Sequence, residues 1–238
     1  MKVTEQMESL RLSGMNRSWQ SLIETRQNTT LTLSEGLELL LQAEVQHRQN
    51  SRLNRLEKNA SFRYQASLEE ISFKQGRGLD KSLVLSLSDC SYIDRGESVL
   101  ISGPTGAGKS FLASAYGHQA CAMGYKTMYF NTQKLLLKLK MYRADGTIFK
   151  FMDKLAKQQL LILDDFGLMA LDAQQRLDLM EIIEERHAKL STIIASQLPL
   201  ANWYVMIGDE TIADAITDRL RHQAHRIEIK GEPMHKKQ

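Results

Sequence analysis

The apolar run Val99-Leu100-Ile101 leads into Gly103-Pro104-Thr105-Gly106-Ala107-Gly108-Lys109-Ser110, and the helix-forming stretch Phe111-Leu112-Ala113-Ser114-Ala115 follows directly. The octet has the form G-x-x-x-x-G-K-[ST], in the strand–loop–helix setting where that form binds phosphate. Glycines let the backbone curl so that successive N–H groups face one point, and the helix N-terminus adds partial positive charge there. Lys109 then reaches the β- and γ-phosphates of a nucleotide such as ATP, and Ser110 offers a hydroxyl to Mg²⁺. The expected nucleotide contacts are Gly103, Pro104, Thr105, Gly106, Ala107, Gly108, Lys109, Ser110 and Phe111. The alternative is a glycine-rich turn with no ligand.

A loop of this kind needs a parallel sheet around it, and the rest of the chain supplies the pattern. From Gly96 onward short apolar runs alternate with helical stretches. The expected strands are Ser98–Ser102, Lys126–Asn131, Leu160–Asp164, Thr192–Ser196 and Arg226–Ile229. Helices are expected near Lys109–Met123, Thr132–Tyr142, Ile148–Lys157, Ala173–Ala188 and Thr211–Arg221. The fold class is therefore α/β, a P-loop NTPase core with a mostly parallel five-stranded sheet flanked by helices. Leu160-Leu161-Ile162-Leu163 is apolar throughout, as a strand buried on both faces should be.

Upstream the reading is helical. Leu12, Met15, Trp19 and Leu22 fall on one helix face, and Gln27-Asn28-Thr29-Thr30 reads as a connection. Thr32 or Ser34 caps a second helix carrying Leu37, Leu40, Leu41 and Val45, which then turns basic through Arg48, Arg52 and Arg55 on one face. Periodicity breaks between Ser61 and Gly78. A small N-terminal helical domain, 1–65, and an ATPase domain, 66–238, follow, the first being assigned to DNA or protein-partner contact.

With 238 residues the chain can bury one sizeable core and a smaller appendage. No apolar run approaches the ~20 residues needed to span a bilayer, and the N-terminus lacks the apolar core of a signal peptide. These features predict a cytoplasmic protein with no membrane partner. Cys90 and Cys121 have neither disulfide nor metal-ligand spacing, and Cys121 reads as a small core residue. A net charge of +3 is compatible with a nucleic-acid partner, but where the basic residues fall says more.

Leu160-Leu161-Ile162-Leu163-Asp164-Asp165 has the form of a Walker B strand. Two carboxylates at the carboxyl edge of the sheet lie where open α/β folds bind ligands, and strand alternation turns them to opposite faces. Asp164 would hold Mg²⁺, and Asp165 would orient or deprotonate the attacking water. The bland alternative is an N-cap for the next helix. Thr192–Gln197 is a second apolar strand with a polar end; if it lies between the other two, Gln197 or Ser196 reaches the γ-phosphate or the water. In Asp218-Arg219-Leu220-Arg221 an arginine could complete a neighbouring subunit's site, although surface helices also carry arginines for solubility.

The P-loop, Leu160–Gly167, Ile193–Pro199 and Asp214–Gly231 resemble the IstB-like ATPases of the AAA+ clade, which also holds the DnaC-type helicase loaders. Leu10–Met15, Ala122–Lys126 and Trp203 are similar as well, so the resemblance runs along nearly the whole chain. It implies an ATP- and Mg²⁺-dependent helper ATPase for transposition of a bacterial insertion sequence. Such a protein forms a homo-oligomer on duplex DNA with little sequence preference, with nucleotide at the subunit interfaces, and recruits or stimulates a cognate transposase. By resemblance Arg219 matches the arginine finger, with Arg221 as fallback, and Gln197 matches sensor 1. The family's extra helix before Walker B coincides here with a basic region. Lys134 and Lys138 share one face and Lys150, Lys154 and Lys157 another, opposed only by Asp145 and Asp153. Those lysines suit a phosphate-backbone track or a solvated face snorkelling over the core.

One departure concerns sensor 2. The family usually ends in Gly-Glu-Ser followed by an arginine, whereas this chain reads Gly231-Glu232-Pro233-Met234-His235. A weakened sensor 2, or its replacement by Lys236 or Lys237, is expected. Asp165 is one methylene shorter than the glutamate found at that place in many AAA+ enzymes, which predicts slow hydrolysis suited to a timer. The rivals are a replicative helicase loader, a small-molecule phosphotransferase, for which no acceptor lid is evident, and an ATP-gated scaffold with negligible turnover.

Overall fold

The computed structural model describes residues 2–73 and 78–230. The chain divides into two compact units, Met1–Arg55 and Leu56–Gln238.

The first unit contains α1 (Val3–Ser9), α2 (Ser13–Glu24) and most of α3 (Leu33–Ala60). Met7, Met15, Leu22 and Leu40 form its core, with Leu12, Trp19 and Leu31 packed against them. Gly14 permits a close helix crossing, because a Cβ there would stand 2.5 Å from the Ala43 carbonyl oxygen. Glu44, buried at this crossing, accepts the N–H groups of Gly14 at 2.7 Å and Met15 at 3.1 Å at the N-terminus of α2. Burial pushes its carboxyl up, but the Arg48 hydrogen bond and those N–H groups outweigh it and leave the pKa lowered. Thr32, not Ser34, caps α3, in a reciprocal pair with Glu35. Of the expected apolar positions on α3 only Leu40 is buried; Leu37, Leu41 and Val45 are exposed.

In the second unit α4 (Lys81–Ser86) and α5 (Ser91–Asp94) precede the alternating body. That body runs β1 (Ser98–Ser102), α6 (Lys109–Ala122), β2 (Thr127–Asn131), α7 (Thr132–Ala144), α8 (Ile148–Ala156), β3 (Leu160–Phe166), α9 (Ala173–Arg186), β4 (Ser191–Ser196), α10 (Trp203–Ile207), α11 (Glu210–Arg221) and β5 (Ala224–Glu228). The sheet order is β2-β3-β4-β1-β5, and each pairing is parallel. Alternation along the strands fills two layers. Val99, Ile101, Leu160, Ile162 and Ile193 face α6 residues such as Leu112 and Tyr116. Leu100, Leu161, Leu163 and Ile194 face α7, α8, α9 and α11. Each such fully buried aliphatic side chain contributes roughly 1.5–3 kcal/mol. Both cysteines are buried in this unit.

Buried Arg186 has no carboxylate partner among the described residues but donates to four carbonyls, those of Leu155, Gln158, Gln159 and Ser191, and to Thr192 Oγ1, fixing the starts of β3 and β4. Because β4 lies between β1 and β3, the carboxyl ends of all three open onto one edge.

Candidate nucleotide site

The loop after β1 is shaped by close approach. Gly103 has φ +152°, and a Cβ there would come within 2.4 Å of the Ile229 carbonyl oxygen. Gly108, at φ +96°, ends the loop in a left-handed conformation and N-caps α6. Lys109 is buried, its ammonium donates to the Pro104 carbonyl at 2.8 Å, and burial lowers its pKa. The Ser110 hydroxyl donates to Asp164 Oδ1 at 2.9 Å, and Thr105 Oγ1 donates to Gln197 Oε1 at 2.8 Å. A cavity of about 310 Å³ is lined by Thr105, Gly106, Gly108, Lys109, Ser110 and Phe111 of the loop region, by Asp165 and Gln197, and by Arg63 and Tyr64.

At the end of β3 strand alternation is interrupted. Leu163 pairs with Ile194 and Phe166 with Ser196, so Asp164 and Asp165 together stand opposite Ala195. Asp165 carries φ +53°, a left-handed conformation that Asp tolerates better than most residues. The two carboxylates therefore do not part to opposite faces as an ideal strand would send them. Both meet Arg63, whose Nη1 donates to Asp165 Oδ2 at 2.9 Å and lies 3.4 Å from Asp164 Oδ2. Asp164 is fully buried and also accepts the Tyr129 hydroxyl. Burial and that hydrogen bond push the phenol pKa well up. Asn131 Nδ2 donates to Asp165 Oδ2 at 2.9 Å. Helix α9 is capped by Asp172, so neither residue of the pair serves as its N-cap.

Arg63, Tyr129 and Asn131 were not singled out by the sequence reading. Asn131 carries the same signal as Gln197, a polar residue closing an apolar strand. Arg63 carries none, because it lies in the stretch where periodicity fails. Its backbone is pinned by its neighbours: Phe62 packs on His118, ring centroids 4.3 Å apart, and the Tyr64 carbonyl accepts from His118 Nε2 at 3.1 Å.

Other expected residues lie elsewhere. Arg219 pairs with Glu184 of α9 and donates to the Ala215 carbonyl at 3.0 Å; it does not line its own chain's P-loop cavity. Arg221 is exposed. Lys134, Lys138 and Lys154 line one cavity of about 530 Å³, while Lys150 and Lys157 are exposed and outside it. Arg48, Arg52 and Arg55 are exposed on α3 in the first unit, and Arg48 pairs with Glu44 at 2.7 Å. The sensor 2 expectation at His235, Lys236 and Lys237 falls outside the described residues.

The donor set fits a magnesium nucleotide. One hydroxyl and one buried carboxylate lie in contact beside a loop with a buried ammonium, and Mg²⁺ is typically held by one or two protein oxygens plus substrate phosphates. Among the described residues no group of three or more His, Cys, Asp or Glu could hold a metal.

The family model for IstB-like ATP binding proteins matches residues 5–238. The chain belongs to this family. An insertion sequence ATP-binding protein of Sinorhizobium fredii is 40% identical over 98% of this chain and 96% of its own length. That of insertion sequence IS1162 from Pseudomonas fluorescens is 41% identical over 82% of this chain and 84% of its own length. Among solved structures the DnaC helicase loader matches with TM-score 0.60 at 23% identity, over 70% of this chain and 98% of that one. The replication initiator DnaA, bound to AMPPCP and single-stranded DNA, matches with TM-score 0.62 at 20% identity, over 72% of this chain and 52% of that one. These likenesses establish the AAA+ P-loop fold of the IstB-like chain. Among its described residues no helix is long and apolar enough to cross a membrane.

Proposed function

We propose that this IstB-like protein is a slow, DNA-modulated ATPase that assists transposition of an insertion sequence. The observation that carries the reading is the meeting of Lys109, Ser110, Asp165 and Gln197 around one cavity, with Asp164 bonded to Ser110 behind it, supported by relatives named for ATP binding in insertion sequences.

In this reading Lys109 exchanges the Pro104 carbonyl for phosphate oxygens. Ser110 and Asp164 would hold Mg²⁺, which when bound neutralises charge on the phosphates. Asp165, held by Asn131, orients the attacking water, and Gln197, fixed by Thr105, faces the γ-phosphate. Arg219 of a neighbouring subunit completes the site after leaving Glu184, with Arg221 as fallback. A cytoplasmic homo-oligomer on duplex DNA follows, with lysines of α7 and α8 on the phosphate backbone and the N-terminal region, 1–65, touching DNA or the transposase. Asp165 is short for its task, which favours slow turnover and a timing role.

The test measures phosphate release by the purified full chain with and without duplex DNA, beside Asp165→Asn, and capture of the transposase encoded by the same element. DNA-modulated hydrolysis lost in Asp165→Asn, with transposase capture, is expected. Capture of a replicative helicase with preference for single strands would instead favour the loader reading. That rival shares the fold, but the named relatives belong to insertion sequences.

A further inference from the structure

The cavity of about 530 Å³ beside the Asp164–Asp165 pair has a charge pattern that nucleotide chemistry does not use. Among the described residues Arg63, Lys134, Lys138 and Lys154 line it, against a single carboxylate, Asp165. Among the described residues none of the three lysines makes a salt bridge, and Lys138 stands 5.5 Å over the Phe130 ring. The aromatic side of the cavity is packed: Phe151 stacks on Tyr142 at 4.6 Å and meets Phe130 edge-on at 6.1 Å. Four cations beside this aromatic wall suit an anion with several acceptor oxygens, as a phosphate group is.

Arg63 and Asp165 line this cavity and the P-loop cavity alike. Arg63 is therefore the one cation among the described residues that faces both, and its bond to Asp165 spans the boundary between them. Its side chain is 46% exposed, so its remaining N–H groups are open to a new acceptor.

We propose that the cavity takes a backbone phosphate of duplex DNA, and that Arg63 is a positioning residue which exchanges Asp165 for that phosphate. DNA occupancy then releases the Asp165 carboxylate, which Asn131 continues to hold. The inference rests on the DNA-modulated ATPase reading and gives that modulation a mechanism. Because competition for one guanidinium is reciprocal, removing the Asp165 charge must strengthen DNA binding, and must do so through Arg63.

The test is nucleotide-free binding of a fluorescein-labelled duplex by the full chain, compared for wild type, Asp165→Asn, Arg63→Ala, the double variant, and Lys134→Glu/Lys138→Glu. Asn accepts the left-handed backbone at 165, and thermal melts of each variant verify folding. Asp165→Asn should tighten binding about tenfold, the gain should vanish in the Arg63→Ala background, and Lys134→Glu/Lys138→Glu should lose most binding. An equal gain in both backgrounds would mean a general charge effect and would overturn the exchange. Undiminished binding by the lysine variant would overturn the site. Either result leaves the ATPase reading standing, whereas no duplex binding by wild type overturns that reading and this inference together. A preference for single strands over duplex would overturn the choice of ligand.

Discussion

The Ser110 hydroxyl donates to Asp164 Oδ1 at 2.9 Å, and this bond joins the first turn of the P-loop helix to the end of strand β3. It brings two hard oxygen donors together from positions 54 residues apart. If they share one Mg²⁺, Ser110→Ala and Asp164→Asn should each weaken magnesium-dependent ATP binding about 10- to 100-fold. Titration of a fluorescent ATP analogue with and without Mg²⁺ would read this directly. Equal loss in the absence of Mg²⁺ would mean the bond only shapes the loop.

Gly117 faces the ring that anchors Arg63. A Cβ there would lie 2.3 Å from Phe62 Cε1 and 2.9 Å from Ile162 Cδ1. Gly117→Ala should therefore cost about 1–3 kcal/mol by overpacking, despite the gain in helix propensity. Urea denaturation would measure it. The variant should also loosen the Arg63–Asp165 pair, since Phe62 directly precedes Arg63.

Glu97 contributes to the expected acid limb of stability. Hydrogen bonds from Arg95, at 2.7 and 2.9 Å, outweigh burial and, with His225 at 2.8 Å, hold its carboxyl at about 2. A carboxylate whose folded pKa lies below its unfolded value contributes stability that is full above the unfolded pKa. That contribution is lost as pH falls through the folded pKa. The window runs from about 4.5 down to about 2. Glu97→Gln should flatten the stability profile across it, as thermal melts at stepped pH would record.

Both cysteines should be inert in the folded chain. Burial pushes the Cys90 thiol up to about 12 and the Cys121 thiol up to about 11, and the thiolate is the reactive form. Iodoacetamide at mildly alkaline pH should leave both unmodified in native protein and alkylate both in denaturant, as intact mass would show.

The parallel sheet and the P-loop were legible because each rests on local pattern: apolar runs of strand length and a loop whose residue types are dictated by backbone shape. Sheet order supplied the condition under which Gln197 reaches the site, since β4 does lie between β1 and β3. What sequence could not give was the direction of Asp165, because alternation predicts opposite faces for the pair and the bulge at β3 cancels it. Arg63 was equally hidden. It is placed by Phe62 and Tyr64 packing onto His118 of a distant helix, and no periodicity encodes that. On α3 the pattern misled in part, as Leu37, Leu41 and Val45 repeat like core positions yet stand exposed.

Arg219 gives the sharpest test of assembly. In its own chain it pairs with Glu184 and stays outside the P-loop cavity, and the proposed role in hydrolysis is one exercised on another subunit. Arg219→Ala should then bind ATP normally yet lower kcat on the order of 10³-fold. Mixing it with Lys109→Ala, which lacks nucleotide binding but keeps Arg219, should restore part of the activity, because the variant's intact P-loop meets an intact arginine at mixed interfaces. Arg221→Ala should change kcat little. If instead Arg221→Ala abolishes turnover and mixing rescues it while Arg219→Ala is active, the exposed arginine is the one donated, and the Arg219–Glu184 pair merely fastens α11 to α9.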